Sequence, residues 1–168
     1  MARSSDLGPL PLNWRDVGVS IATLSRPALV DNEHSKHADE DNARDFEPQP
    51  VLPSGRLLRS GQLHPQHRSD LLGNPATVIN LRRSDDFTSS YNHELVSDDS
   101  ISFLHIPADN TLEVYDTADR ECAKWIATVL KAMANASTPI LIHCRSGRDR
   151  TGVVVAAALL LLGVSLDF

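Results

Sequence analysis

Apolar residues in this chain form several short runs, separated by polar stretches that contain Gly, Pro, Asp and Ser. Short blocks of consecutive apolar or β-branched residues bounded by turn residues are typical of buried strands. Three such blocks occur, at residues 77–81, 101–106 and 140–142, and the segment 56–60, which lies between a Pro-Ser-Gly turn and Gly61, predicts a fourth short strand. We expect each of them to form one strand of a sheet.

Three segments between or after these blocks predict helices. One follows Thr117, whose hydroxyl could cap its start, and its apolar stripe has helical spacing through Cys122, Trp125, Ile126, Val129, Leu130 and Met133. Another runs from Thr151 to about Leu162; its apolar run is far shorter than the roughly 20 residues of a membrane span, so it predicts a buried helix. A shorter helix at 65–72 should stop at Gly73. Residues 14–24 have no clean period and predict a short strand or irregular packing.

Strands that alternate with helices favour an α/β fold with a central, mostly parallel sheet flanked by helices. In such sheets ligands bind beyond the carboxyl ends of the strands, and the polar loop after Ile142 lies at such an end. A length of 168 residues suits a single domain, residues 1–168. Within it we expect a flexible lead-in at residues 1–12 and an exposed acidic loop at 31–50.

Charge and cysteine content exclude several classes of protein. With 16 Lys and Arg against 22 Asp and Glu, the net charge is -6, which argues against a general nucleic-acid binder. Two cysteines do not make a disulfide framework, so a reduced, cytoplasmic setting is expected, with secretion that uses no recognisable signal peptide as the alternative. The first residues lack the apolar core of a secretory signal, and no stable membrane insertion is predicted. An acidic protein that handles an anion must concentrate positive charge locally.

Such a concentration occurs at residues 143–151, between a predicted buried strand and a predicted apolar helix. A loop that opens a helix directs several backbone N–H groups at one point, and the helix dipole adds positive charge there, so phosphate is a fitting ligand. Gly147 allows backbone angles that a side chain would oppose. The candidate phosphate-binding residues are Arg145, Ser146, Gly147, Arg148, Asp149, Arg150 and Thr151.

Cys144 is expected at the mouth of this loop, where the amides, the dipole and the arginines would favour a thiolate. A thiolate beneath a bound phosphate can attack phosphorus in line and form a phosphocysteine that water then hydrolyses. Arg150 can grip two phosphate oxygens with its planar fork. Thr151 is placed to donate its hydroxyl to the sulfur, and His143 to fix the loop by bonding backbone carbonyls. Cys122 is expected in the core.

The segment from His143 to Thr151 resembles the signature loop of the protein tyrosine phosphatase superfamily: His-Cys, five residues, Arg, then Ser or Thr. Residues 13–18, 55–61 and 78–82 are similar to segments of its bacterial branch, which includes tyrosine and lipid phosphatases. The resemblance implies that superfamily's compact fold, with no metal and no cofactor. Members of that branch usually continue with further helices beyond a segment like Leu161 to Val164, whereas this chain stops at Phe168.

A phosphatase of this kind needs a general acid that protonates the leaving oxygen, and two aspartates are candidates. Asp109 follows the strand at 101–106, where smaller dual-specificity members carry the acid on a mobile loop. Asp149 lies within the signature loop, where the bacterial branch can use an aspartate. We prefer Asp109, and both stay open.

The expected substrates are proteins phosphorylated at tyrosine, serine or threonine, and phosphoinositides. Arg145 and Arg148 add cations beyond Arg150, which suits a more anionic ligand such as a phosphoinositide or nucleotide; the alternative is that both arginines face solvent and only raise the local potential. Few aromatic residues are present to line a deep phosphotyrosine slot, which favours a broad phosphomonoesterase. The alternatives are a small-molecule or nucleotide phosphatase and a non-catalytic phosphate-binding module, although nucleophile and clamp are intact. A sulfur-transfer or arsenate-reducing enzyme would need a resolving cysteine, for which Cys122 is poorly placed.

Overall fold

The computed structural model describes residues 10–24, 51–83, 95, 98–108, 116 and 118–164. The chain order is β1 (Arg15–Asp16), α1 (Val17–Leu24), β2 (Leu57–Ser60), β3 (Thr77–Asn80), β4 (Ser102–His105), α2 (Arg120–Asn135), β5 (Ile140–His143) and α3 (Asp149–Leu161). The four predicted strands are present, each within one residue or so of its predicted ends. The fold is α/β, as predicted.

The five strands form one sheet in the order β1-β2-β5-β3-β4. Only β1 is antiparallel to its neighbour; the pairs β2–β5, β5–β3 and β3–β4 are parallel. β5 is therefore central, and His143 at its carboxyl end is level with Ser60 of β2 and Asn80 of β3. The loop that follows β5 leaves the sheet between the ends of two neighbouring parallel strands, where α/β folds place their ligands.

Alternate residues of the central strands pack into two separate apolar clusters. On β5, Ile140 and Ile142 join the larger cluster, which includes residues of α2 and α3, whereas Leu141 joins the smaller one. β3 and β5 are buried along their whole length, as expected for strands covered on both faces. Cys144 keeps this alternation and lies in the larger cluster.

The amino-terminal segment differs from its prediction, because a two-residue strand and a helix occupy 15–24. Asp16 supplies the start signal: its Oδ1 accepts a hydrogen bond from the backbone N–H of Val19 at 3.2 Å, as a helix cap does. This helix is too short for its apolar residues to show a clear helical period in the sequence. Of the predicted lead-in, only residues 10–12 are described, and the predicted acidic loop at 31–50 lies outside the described residues.

The helix predicted at 65–72 is wrong: this stretch forms turns. The Nδ1 of His67 accepts from the backbone N–H of His64 at 3.0 Å, and the N–H of His67 donates to the carbonyl of His64 at 2.9 Å, so these residues close a turn at 64–67. The stop at Gly73 is nevertheless real, because this residue has φ +87°. α2 begins later than predicted, after Asp119, whose carboxylate accepts from the N–H of Cys122 at 2.8 Å.

α3 begins two residues earlier than predicted and is not buried throughout. Thr151, Val154 and Val155 are its buried residues, while Leu161 is 75% exposed. Leu160 and Leu162 are also exposed. Among the described residues, no helix is long and apolar enough to cross a bilayer.

Candidate active site

The loop from Cys144 to Arg148 joins β5 to α3, and its backbone carbonyls are held from one side. The carbonyl of Arg145 accepts from the N–H of Gln62 at 3.0 Å, and that of Ser146 accepts from Nδ2 of Asn13 at 2.8 Å. The carbonyl of Gly147 accepts from Nη2 of Arg59. Three successive carbonyls are thus fixed by donors on β2, just after it, and in the segment before β1.

This anchoring also sets the direction of the loop amides. A trans peptide is planar, so each N–H points opposite to the carbonyl of the preceding residue. The N–H groups of Ser146, Gly147 and Arg148 therefore point away from the side that holds the three carbonyls. Arg148 N–H also contacts Oγ of Ser146 at 3.3 Å. Successive amides on one side of a loop form the concave surface that anions bind.

Gly147 packs directly against the backbone at the end of β2. Its φ is +71°, and a Cβ there would lie 2.5 Å from the backbone N of Gly61 and the backbone C of Ser60. Gly61 is itself held in place, since its N–H donates to the carbonyl of Leu12 at 2.6 Å. The fold thus needs a glycine at 147 for both its backbone angle and its space.

α3 contributes its amino-terminal end to the same site. Arg148, at the cap position, makes no side-chain hydrogen bond to the helix, so its side chain does not satisfy any of the first helical N–H groups. Arg150 in the first turn extends Nη1 to the carbonyl of Leu81 at 3.1 Å, which fixes its guanidinium beside the carboxyl end of β3. The helix dipole and the guanidinium of Arg150 both favour a bound anion.

The sequence predicts Cys144 at the mouth of the loop, but the residue lies deeper than that. Its exposed fraction is 1%, because it continues the inward face of β5 after Ile142. A positive charge is nearby: Arg59 of β2 is level with Ile142, on the same face of the sheet as Cys144, and its guanidinium donates to the loop at Gly147. The thiol is therefore buried next to a guanidinium beneath the anion-directed loop.

Thr151 and His143 differ in how well they fit their predicted contacts. Oγ1 of Thr151 is buried and makes no hydrogen bond within the described part of the chain, so the predicted bond to the sulfur is not made. Nδ1 of His143 lies 3.5 Å from the carbonyl of Cys144, a long contact in the predicted direction. Desolvation by complete burial lowers the pKa of His143 to about 3, so its ring is neutral near pH 7.

This depressed pKa predicts a pH-dependent stability. Between pH 3 and 6.5 the unfolded chain binds a proton at His143 that the folded chain does not, so folding free energy is lost as the pH falls below 6.5. At pH 5 the loss is about 2 kcal/mol. Urea unfolding at pH 7.5 and pH 5 should show that His143→Asn lacks this part of the acid destabilisation. Equal pH-dependent losses in both proteins would contradict the assignment.

The remaining predicted residues are at the surface or outside the described part. Arg145, Arg148 and Asp149 are exposed beside the loop. Asp109 lies outside the described residues, so the geometry does not distinguish it from Asp149. Cys122 is in the core as predicted, and burial, followed by the carboxylates of Asp119 and Asp116, raises its pKa.

Sequence reasoning missed the residues that hold the loop: Asn13, Arg59, Gly61 and Gln62. The first three lie in the segments 13–18 and 55–61, whose resemblance to the bacterial branch marked them without giving them a role. Their contacts join positions up to 133 residues apart in sequence, which no local pattern reveals.

A cavity of about 440 Å³ adjoins the outer part of the loop. Arg145 and Ser146 form one wall, and residues around β2 and the amino-terminal segment form the others: Leu10, Pro11, Leu12, Gln62, His64 and His67. This volume suits a small ligand or part of a larger one. Its described lining contains no carboxylate, and Cys144 is not part of its wall.

Comparison with known proteins agrees with this geometry. No curated protein matches the chain. A family model described as the tyrosine phosphatase family matches residues 36–167, which include β2 to β5, α2, α3 and the whole loop from His143 to Thr151. Asn13 lies outside the matched range. Because this match covers most of the sequence, the chain belongs to the tyrosine phosphatase family and is a phosphatase.

Proposed function

We propose that this phosphatase hydrolyses phosphomonoesters with Cys144 as its nucleophile and the loop from 143 to 151 as its phosphate-binding cradle. The observation that carries the proposal is the anchoring of the carbonyls of Arg145, Ser146 and Gly147 on one side. It leaves the amides directed to the opposite side, where the start of α3 adds its dipole.

The reaction proceeds in two displacements. The thiolate of Cys144 forms a bond to phosphorus while the ester P–O bond breaks, and a general acid protonates the leaving oxygen. Water then attacks phosphorus, the P–S bond breaks, and phosphate leaves while the thiolate is regenerated. Loop amides and the guanidinium of Arg150 stabilise the charge on the transferring phosphoryl oxygens in both steps. The hydroxyl of Thr151, buried in the first turn of α3, is a donor available to the sulfur as it leaves.

Substrate choice is proposed from the charge around the loop. Exposed Arg145 and Arg148 raise the positive potential beside the cradle, and the adjoining cavity has Arg145, His64 and His67 in its wall. These features favour anionic phosphomonoesters. Among them we propose proteins phosphorylated on tyrosine, serine or threonine, and phosphoinositides. Small-molecule or nucleotide esters are the alternative. Neither cysteine forms a disulfide. A thiolate mechanism needs reducing conditions, so we propose a cytoplasmic setting.

The activity and its general acid are tested together. We expect hydrolysis of p-nitrophenyl phosphate in EDTA, with inhibition by vanadate. The variant that lacks the acid, Asp109→Asn or Asp149→Asn, should lose roughly 100-fold in kcat on an alkyl phosphate, whose leaving group needs a proton. It should lose far less on p-nitrophenyl phosphate, whose leaving group does not.

The other aspartate variant serves as the control, because a carboxylate that only contacts the loop affects both esters alike. Equal losses on both esters for both variants would exclude these two residues as the acid. Absence of hydrolysis in EDTA, restored by a divalent metal, would contradict the cysteine mechanism itself.

A further inference from the structure

Arg59 is the residue outside the loop whose side chain reaches it from the neighbouring strand. It is the third residue of β2, and its Cα pairs with Ile142 of β5. Its side chain is half-buried, and Nη2 donates to the carbonyl of Gly147. The same Nη2 lies 3.8 Å from the position that a Cβ on Gly152 would occupy, so the guanidinium also sits beside the first turn of α3.

We propose that Arg59 is a positioning residue for the reaction: it fixes the loop through Gly147 and supplies a permanent positive charge that holds Cys144 as a thiolate. This inference rests on the proposed function. The proposed role of Arg59 differs from that of Arg150. Arg59 donates a hydrogen bond to the loop backbone, so it acts before any substrate binds.

The charges around Arg59 fit this role. From the loop, Cys144 lies on the same face of the sheet as the Arg59 side chain, because Arg59 is level with Ile142 and Cys144 continues that face one step beyond it. From β1, Arg15 pairs with Arg59 in the sheet and repels it. The adjacent position on α3 is Gly152, which carries no charge. Although burial and Arg15 lower the pKa of Arg59, an arginine starts so far above neutrality that it stays charged. The thiolate is thus the one anionic partner that these neighbours offer.

The test separates charge from hydrogen bonding with three variants. Arg59→Lys keeps the charge, Arg59→Gln keeps a hydrogen-bond donor without charge, and Arg56→Gln is the matched control, an exposed arginine three residues earlier. Alkylation of Cys144 by iodoacetamide is followed against pH by peptide mapping, which separates it from Cys122. Only the thiolate reacts, so the pH of half-maximal rate reports its formation.

We expect the parent, Arg59→Lys and Arg56→Gln to share one midpoint, below the value of about 8.5 for an ordinary thiol. The midpoint of Arg59→Gln should rise by roughly one pH unit, with an alkylation rate about tenfold lower at pH 6. Urea unfolding establishes that each variant is folded; if Arg59→Gln is not, Arg59→Met takes its place.

Two kinds of failure are distinguishable. An unchanged midpoint in Arg59→Gln, or an equal rise in Arg59→Lys, would overturn the role of Arg59 while the proposed function stands. A parent midpoint near 8.5 would instead contradict the proposed function, because Cys144 would then be an ordinary thiol at neutral pH.

Discussion

Replacing Cys144 with serine should reduce kcat on p-nitrophenyl phosphate by roughly 10⁴-fold or more. The serine hydroxyl has nearly the same shape, but the neighbouring guanidinium of Arg59 and the loop amides cannot ionise it near pH 7. Phosphate binding should survive, because amides and Arg150 make those contacts. The measurement is steady-state turnover together with the affinity for vanadate or phosphate.

The control is Cys122→Ser, the same chemical change at the other cysteine. Cys122 is completely buried on α2 and is not part of the loop, so this variant should lose stability, by about 1–2 kcal/mol, and keep its kcat when folded. If Cys144→Ser kept more than a tenth of the parent activity, Cys144 would not be the nucleophile.

The second large effect is expected for Gly147→Ala. Residue 147 has φ +71°, in the left-handed region, where an alanine costs about 1–2 kcal/mol of folding free energy. The added methyl group would also lie 2.5 Å from the backbone of Ser60 and Gly61. Because that backbone belongs to the end of β2, the loop must move instead. A displacement of about 1 Å at a catalytic site can cost roughly 100-fold, and we expect at least that loss in kcat, together with a lower urea-unfolding midpoint.

Gly55→Ala separates the backbone angle from the collision. Gly55 has φ +75°, but a Cβ there would meet nothing within 4 Å. Its variant should lose stability by about 1–2 kcal/mol and keep its activity. Equal losses of activity in the two variants, or parent-like activity in Gly147→Ala, would show that the contact between loop and β2 does not control the site.

The sequence was most informative where one short pattern contains both structure and chemistry. β3 and β5 could be predicted because strands buried on both faces are short, mostly apolar blocks. The loop could be predicted because cysteine, glycine, arginine and threonine follow one another between a strand and a helix. Both results depend only on residues that are close in sequence.

Prediction failed where a side-chain hydrogen bond shapes the local backbone. Asp16 ends a two-residue strand and caps the helix that follows, and Nδ1 of His67 accepts the N–H of His64 in a turn at the start of the stretch that was predicted to be helical. Neither effect changes the apolar period that sequence reasoning uses. α3 was predicted to be buried because it is apolar, yet the position of a helix in the fold decides which of its faces is covered, and Leu161 is exposed.

The anchors of the loop needed the tertiary structure for another reason. Asn13 and Arg59 contact the loop through its carbonyls, and a carbonyl is present at every position, so no residue in the loop reveals which donor it accepts from. The depth of Cys144 has a similar origin: the alternation of β5 continues one step beyond Ile142. A polar, basic loop does not show that continuation.

Trapping the covalent intermediate tests the central claim most directly. The protein is mixed with p-nitrophenyl phosphate, quenched in acid during turnover, digested and mapped by mass spectrometry. The account predicts a phosphoryl group on the peptide that contains Cys144, at a level that rises with substrate and is absent from Cys144→Ser. Turnover with phosphate on a different residue, or with no phosphopeptide while Cys144→Ser remains active, would contradict it.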